Sequence, residues 1–201
     1  MKRVLITGGL GDWAQSFVAR FEGQFNVQTP GRSELDVTNE DSVQSYFLKH
    51  NQPFDIVINN AGSIHPKTIL ESDSLKWVND INVNLIGCYY VSKAALRLSS
   101  ETQLIFMSST AGFNAYRDWS SYCASKAGVI TLSKSLAADG FNSICICPGA
   151  IDTKFRNYFD LPNDNILTCN QLTDYIEKVI NGEFNSGDVL FIRANEFKLN
   201  P

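Results

Sequence analysis

Tyr122 and Lys126 stand four residues apart in the stretch Ser-Ser-Tyr-Cys-Ala-Ser-Lys-Ala-Gly. Residues i and i+4 of a helix share one face, so this spacing holds an ammonium beside a phenol. A free tyrosine titrates near ~10 and is neutral at physiological pH. A neighbouring positive charge favours the phenolate and lowers that value. A phenol tuned in this way can give or take a proton at a carbonyl or alcohol oxygen near neutral pH. Tyr-x-x-x-Lys also arises by chance on surface helices, so the surrounding chain must decide.

The elements that would position the pair alternate between strand and helix. Strands are predicted over 3–7, 25–29, 55–59, 103–108, 143–147 and 188–193. Helices are predicted over 13–22, 38–50 with Thr38 as cap, 74–98 as one long element, 121–138, and 168–181 behind a Thr168-x-x-Gln171 capping box. The Ile56-Val57-Ile58 run suits a strand buried on both faces. Such alternation predicts an α/β fold: one Rossmann-like, doubly wound parallel sheet with helices on both faces, spanning 1–201 as a single domain. The segment Leu35-Asp36-Val37 follows the second strand too closely for a parallel crossover, so a third strand there is rudimentary or absent.

Three further motifs fall at strand ends. Thr7-Gly8-Gly9-Leu10-Gly11-Asp12-Trp13-Ala14 follows the first strand and opens a helix, as a phosphate-binding turn requires, with Gly8, Gly11, Asp12 and Trp13 at the phosphates. The Asp12 carboxylate would repel a pyrophosphate unless it points to solvent or caps the helix. The end of the second strand would meet an adenosine ribose. It offers Arg32 and Ser33, with no acid before Glu34, which favours a 2′-phosphate and hence NADP(H) over NAD(H). Asp36 and Val37 sit where an adenine could be met. Asn59-Asn60-Ala61-Gly62 ends the third strong strand, where open sheets bind ligands, and Asn60 is followed by small residues against which a ring or ribose can lie.

Composition narrows the class. In 201 residues, 44% are hydrophobic and 19% charged, which predicts a globular protein with a full core. A net charge of −4 argues against a nucleic-acid surface. Apolar runs are too short to span a membrane and the N-terminus lacks a signal-peptide pattern, so a cytoplasmic protein is expected. The cysteines Cys88, Cys123, Cys145, Cys147 and Cys169 have no paired spacing and are expected as reduced thiols; His50 and His65 lack companion ligands, so no metal is expected.

Taken together, these residues resemble the short-chain dehydrogenase/reductase family. Five motifs occur in order: Thr7-Gly8-x-x-Gly11-x-x-Ala14, Asn59-Asn60-Ala61-Gly62, Asn84-Leu85-x-Gly87, Ser109 with Tyr122-x-x-x-Lys126, and Pro148-Gly149-x-x-x-Thr153. The resemblance implies that Tyr122 is the general acid/base, that Lys126 lowers its pKa and holds the nicotinamide ribose, and that Ser109 bonds the substrate oxygen. It implies that Asn84 holds a water linking Lys126 to solvent, and that Pro148, Gly149, Ile151 and Thr153 line the nicotinamide. It further implies an NAD(P)(H)-dependent oxidoreductase for a small carbonyl or alcohol, assembled as a homodimer or homotetramer through helices 74–98 and 121–138. His65, Phe113, Tyr116, Trp119 and Phe155 are candidates to shape the substrate pocket.

The chain departs from the pattern at four places. The glycine turn lacks a final glycine and is spaced as in the sugar-nucleotide branch; a helix is omitted around 31–38; the interval from Lys126 to Pro148 is short; and the lid region from Lys154 to Thr168 is short. Two rival readings follow: a sugar-nucleotide-modifying reductase or epimerase, and a non-catalytic NADP(H) sensor.

Overall fold

Branched and aromatic side chains set the sheet. Val4, Leu5, Ile6, Val57 and Ile58 are all fully buried, because consecutive strand residues point to opposite faces and both faces are covered. The computed structural model describes residues 1–158 and 164–201. Its strands are β1 (Arg3–Ile6), β2 (Asn26–Gln28), β3 (Ile56–Asn59), β4 (Gln103–Met107), β5 (Ser143–Pro148), β6 (Val189–Arg193) and β7 (Glu196–Leu199). They form one sheet in the order β2-β1-β3-β4-β5-β6-β7. All neighbours are parallel except β6 and β7, which pair antiparallel.

The helices are α1 (Asp12–Arg20), α2 (Glu40–His50), α3 (Ser74–Ile81), α4 (Gly87–Leu98), α5 (Ser120–Ala138) and α6 (Cys169–Ile180). α1 and α6 cover one face, where Phe17 and Ile176 pack against Val4, Ile6 and Ile58. α2, α4 and α5 cover the other, where Phe47, Val91 and Val129 join Leu5, Val57 and Phe106. The chain starts at β1, builds β2 on one side and then returns to β3 on the other. The strand order therefore reverses between β1 and β3, and the carboxyl ends of those strands open a crevice.

The doubly wound sheet is as predicted, and Leu35–Val37 is no strand. Leu35 N–H donates to the Gly31 carbonyl at 3.0 Å in a tight turn, and both Leu35 and Val37 are buried. Three details differ. Asn39, not Thr38, caps α2: its side chain accepts from Ser42 N–H at 3.0 Å, while the Thr38 hydroxyl donates to Asp36 at 2.7 Å. The element expected over 74–98 is not one α-helix, because a π-helical turn, Asn82–Ile86, separates α3 from α4. β7 was not foreseen. Of the short lid region after Lys154, residues 159–163 lie outside those described.

Candidate active site

Thr7 at the end of β1 ties the crevice together. Its hydroxyl accepts from the N–H groups of Asn60 at 3.0 Å and Ala61 at 3.1 Å, and its carbonyl accepts from Asn60 Nδ2 at 3.0 Å. The glycine turn therefore lies against the loop after β3. Gly8 has φ +64°, and a Cβ there would come within 2.9 Å of Ala61 Cα. A side chain at Gly8 is excluded by both conformation and contact.

Above this turn opens a cleft of about 880 Å³. Gly8, Gly11, Asp12 and Trp13 line it on one side; Asn60, Ala61 and Gly62 form its floor; Pro148, Gly149, Ile151 and Thr153 form the wall beyond β5. Ser109, Tyr122 and Lys126 line its inner end, with Tyr116, Trp119 and Phe155 around them. The volume suits a small-molecule site, for which ~300–1,000 Å³ is usual.

The residues of the cleft fit a dinucleotide. The first turn of α1 lines the cleft through Asp12, Trp13 and Ala14, and the first N–H groups of a helix have no intrahelical acceptor and carry the positive end of its dipole. Gly62 brings bare backbone beside the inner end, where a Cβ would lie 3.3 Å from Asn84 Oδ1 and 3.9 Å from Lys126 Nζ. Asp12 does not cap α1, since Gly11 occupies that position. Its Oδ2 instead accepts from Lys154 N–H at 2.6 Å, and its Oδ1 lies 3.8 Å from Lys154 Nζ.

Tyr122 and Lys126 share a face of α5, as the spacing requires, and both are buried. The Lys126 ammonium lies 5.5 Å from the centre of the Tyr122 ring and donates to the Met107 carbonyl at 2.8 Å. Ser109 is hydrogen-bonded to Tyr122 through their side chains, and its oxygen accepts from Ala111 N–H at 3.1 Å. The electrostatics differ from the expectation. Burial pushes the Tyr122 phenol up to about 12, and the bond from Ser109 only partly opposes it. Burial likewise lowers the Lys126 pKa. In this arrangement the lysine does not make the phenol acidic, because desolvation of both groups outweighs an ammonium held over the ring rather than at the hydroxyl.

Asn84 occupies the π-helical turn and is fully buried. Its Oδ1 accepts from Ser63 N–H at 2.9 Å; its Nδ2 donates to the Ser63 carbonyl at 2.9 Å and the Ser125 hydroxyl at 3.1 Å. The widened turn is a local departure of the kind found at functional sites.

Not every predicted residue meets the cleft. Arg32, Ser33, Asp36 and Val37 are not among its lining residues. Arg32 Nε pairs with Asp36 Oδ2 at 3.1 Å on an exposed turn, and Val37 packs beneath Gly87. Nor do His65 and Phe113 line it: His65 Nδ1 bonds Asp80 Oδ1 at 2.8 Å, and Phe113 stacks edge-on against Phe191 at 5.8 Å. The sequence reading missed Lys154, Arg156 and Arg193, which bring cations to the lining of the cleft. Nothing in their local sequence marks them; only the crossing from β5 and the end of β6 brings them there. Among the described residues no cluster of His, Cys, Asp or Glu could hold a metal ion, and no helix is long and apolar enough to cross a membrane.

Comparison with known proteins gives the same picture. A family model described as short chain dehydrogenase matches residues 14–163. The "Dehydrogenase/reductase SDR family member 6" of Xenopus laevis is 36% identical over 127 residues, which cover 59% of this chain and 51% of that one. The chain thus matches about half the length of this relative. A 3-oxoacyl-[acyl-carrier-protein] reductase of Aquifex aeolicus is 29% identical over 225 aligned positions, covering 96% of this chain and 87% of that one. Among solved structures, a 3-ketoacyl-(acyl-carrier-protein) reductase from Brucella melitensis complexed with NADH superposes with a TM-score of 0.85 at 19% identity, covering 96% and 97% of the two chains.

Proposed function

The chain belongs to the short-chain dehydrogenase/reductase family, and from that premise we propose that it is an NAD(P)(H)-dependent oxidoreductase acting between a carbonyl and an alcohol. The observation that carries this reading is the convergence of Ser109, Tyr122 and Lys126 at the inner end of a cleft whose other wall is a glycine turn at a helix N-terminus. The nicotinamide, when bound, supplies or accepts the hydride. The protein supplies position and protons. Gly8, Gly11, Trp13 and the first turn of α1 would hold the phosphates; Asn60, Ala61 and Gly62, with Pro148, Gly149, Ile151 and Thr153, would enclose the ribose and nicotinamide.

Ser109 donates a hydrogen bond to the substrate oxygen and steadies the charge that develops there. Tyr122 gives its proton to that oxygen in reduction and takes it back in oxidation. Burial keeps this phenol protonated at neutral pH, the form that donates in reduction. Lys126 would hold the nicotinamide ribose, and Asn84 would hold the water through which the proton is replaced. Tyr116, Trp119 and Phe155 give the substrate an aromatic surround.

Cofactor choice goes to NADP(H) on the residues of the turn after β2, which offers Arg32 and no acid before Glu34, and whose Asp36 holds that arginine by one exposed ion pair. Two copies would pair through α3, α4 and α5; exposed Leu75, Val78 and Tyr89 on the first two helices support this. Fluorescence titration with NADPH and NADH, then turnover on a panel of carbonyls and alcohols, tests the reading. NADPH binding with reduction of at least one carbonyl is expected. Binding without any turnover would make the chain a sensor, and absence of binding would end the proposal.

A further inference from the structure

Asp80 lies on α3, one turn before Asn84, and is completely buried. A carboxylate removed from water costs several kcal/mol unless its lone pairs are filled. Here each oxygen receives two donors. Oδ1 accepts from Ser63 Oγ at 2.8 Å and His65 Nδ1 at 2.8 Å; Oδ2 accepts from His65 N–H at 3.0 Å and Ser121 Oγ at 2.7 Å. The donors come from the two segments that carry the candidate site. Ser63 directly follows Asn60-Ala61-Gly62 and is the residue that grips Asn84. Ser121 directly precedes Tyr122, in the first turn of α5.

We propose that Asp80 is a positioning residue for Tyr122: through Ser121 on one side and Ser63 and His65 on the other, it locks the start of α5 to the loop after β3. The inference rests on the reading of Tyr122 as the acid/base. A buried carboxylate is a costly way to join two segments, and apolar packing could do so at lower cost. What the carboxylate adds is direction. Filled from both segments, it fixes the first turn of α5 in rotation as well as distance, and the Tyr122 hydroxyl with it. The negative charge also contributes to holding the phenol in its protonated form, together with the thiols of Cys123 and Cys147.

Two substitutions separate position from charge. In Asp80→Asn the amide oxygen can accept from His65 N–H and Ser121, while the amide nitrogen donates to Ser63 Oγ and to His65 Nδ1 in its other tautomer. Every contact then survives without the charge. Asp80→Ala removes the contacts. Asp80→Ala is expected to lose ~10²-fold in kcat, the scale of a misplaced reacting group, a larger change than in dinucleotide affinity. Asp80→Asn should stay near wild-type kcat. Its Tyr122, followed by phenolate absorbance as a difference against Tyr122→Phe in the same background, should titrate at lower pH than in the wild type.

Wild-type kcat in Asp80→Ala, or an equal loss in both variants, would overturn the proposal. If Asp80→Ala does not fold, Ser121→Ala takes its place: a lower kcat with unchanged dinucleotide affinity supports the lock, and wild-type kcat overturns it. If the wild type binds dinucleotide but turns nothing over, the catalytic reading has failed. Hydrogen exchange then decides: faster amide exchange in the first turn of α5 in Asp80→Ala than in Asp80→Asn supports the lock, and equal exchange in the two sinks the role given to Asp80.

Discussion

The two ends of the site are built differently. At the inner end Tyr122, Lys126, Asn84 and Ser125 are buried, and their polar atoms are matched to neighbours from β4, the π-helical turn and the loop after β3. At the outer end the Arg32 side chain is 74% exposed and is held by its neighbour Asp36. The turn that carries it is anchored from below by buried Leu35 and Val37, and Leu10, which lines the cleft, packs on its Gly31. At the inner end, altering a residue alters the packing of several elements; at the outer end, ligand preference can change with little cost to the fold. On the proposed function, proton chemistry would be placed where geometry is fixed, and cofactor choice where it is adjustable.

The largest test of that contrast is Tyr122→Phe. The ring packing against Trp119 and Phe155 is kept while the hydroxyl is lost. Turnover should fall by ~10²–10⁴-fold, the usual scale of acid–base catalysis, with NADPH affinity retained in a fluorescence titration. Near-wild-type turnover would remove Tyr122 from the mechanism.

Gly8→Ala comes next and acts through the backbone. At φ +64°, with Ala61 Cα only 2.9 Å from the added carbon, the turn must shift. A strained backbone position of this kind costs ~1–3 kcal/mol. Both thermal stability and dinucleotide affinity should drop, because the same turn closes the core and faces the cleft. A variant with unchanged melting and unchanged affinity would show that the turn is looser than its contacts imply.

Much of this was legible in the sequence, for reasons that can be named. Val4-Leu5-Ile6 and Ile56-Val57-Ile58 read as strands because burial on both faces leaves an unbroken apolar run. Thr168 and Gln171 read as a capping box because both partners lie within one turn, and the structure forms both bonds. The missed features depend on residues far apart. The π-helical turn at Asn82–Ile86 is set by Asn84 meeting Ser63 and Ser125, which periodicity in 74–98 does not reveal. Asp80 looks like any helix-surface acid until Ser63, His65 and Ser121 are brought to it. β7 alternates polar and apolar but is only four residues long, with three of them exposed, so it does not read as a strand. The spacing of Tyr122 and Lys126 gave their shared face, but not the burial that decides the sign of the phenol's shift.

That sign has a measurable consequence for stability. In the fold Tyr122 keeps its proton up to about 12, whereas an unfolded tyrosine releases it near ~10. The unfolded state sheds the proton first, so the contribution is present below the unfolded value and is lost as pH rises through the folded one. Wild-type stability should therefore fall across that alkaline window, and Tyr122→Phe should flatten the fall by up to ~2–3 kcal/mol. Denaturant titrations at several alkaline pH values would show it. Equal slopes for the two proteins would mean that the phenol is not desolvated.

The smallest expected effect belongs to the outer end, and it is the one that best sharpens the contrast. Arg32→Ala removes an exposed guanidinium whose pairing with Asp36 is worth little in water, on the order of 0–1 kcal/mol. Melting temperature should hardly move. If Arg32 swings to a 2′-phosphate, NADPH affinity should fall by about tenfold, the equivalent of one charge-assisted hydrogen bond, while NADH affinity stays constant. Asp36→Asn frees the same arginine and should shift preference further toward NADPH. Parallel changes for both dinucleotides, or tighter NADH binding in the wild type, would take cofactor choice away from Arg32. The adjustable end of the site would then lie elsewhere, among the cations that Lys154, Arg156 and Arg193 bring to the cleft.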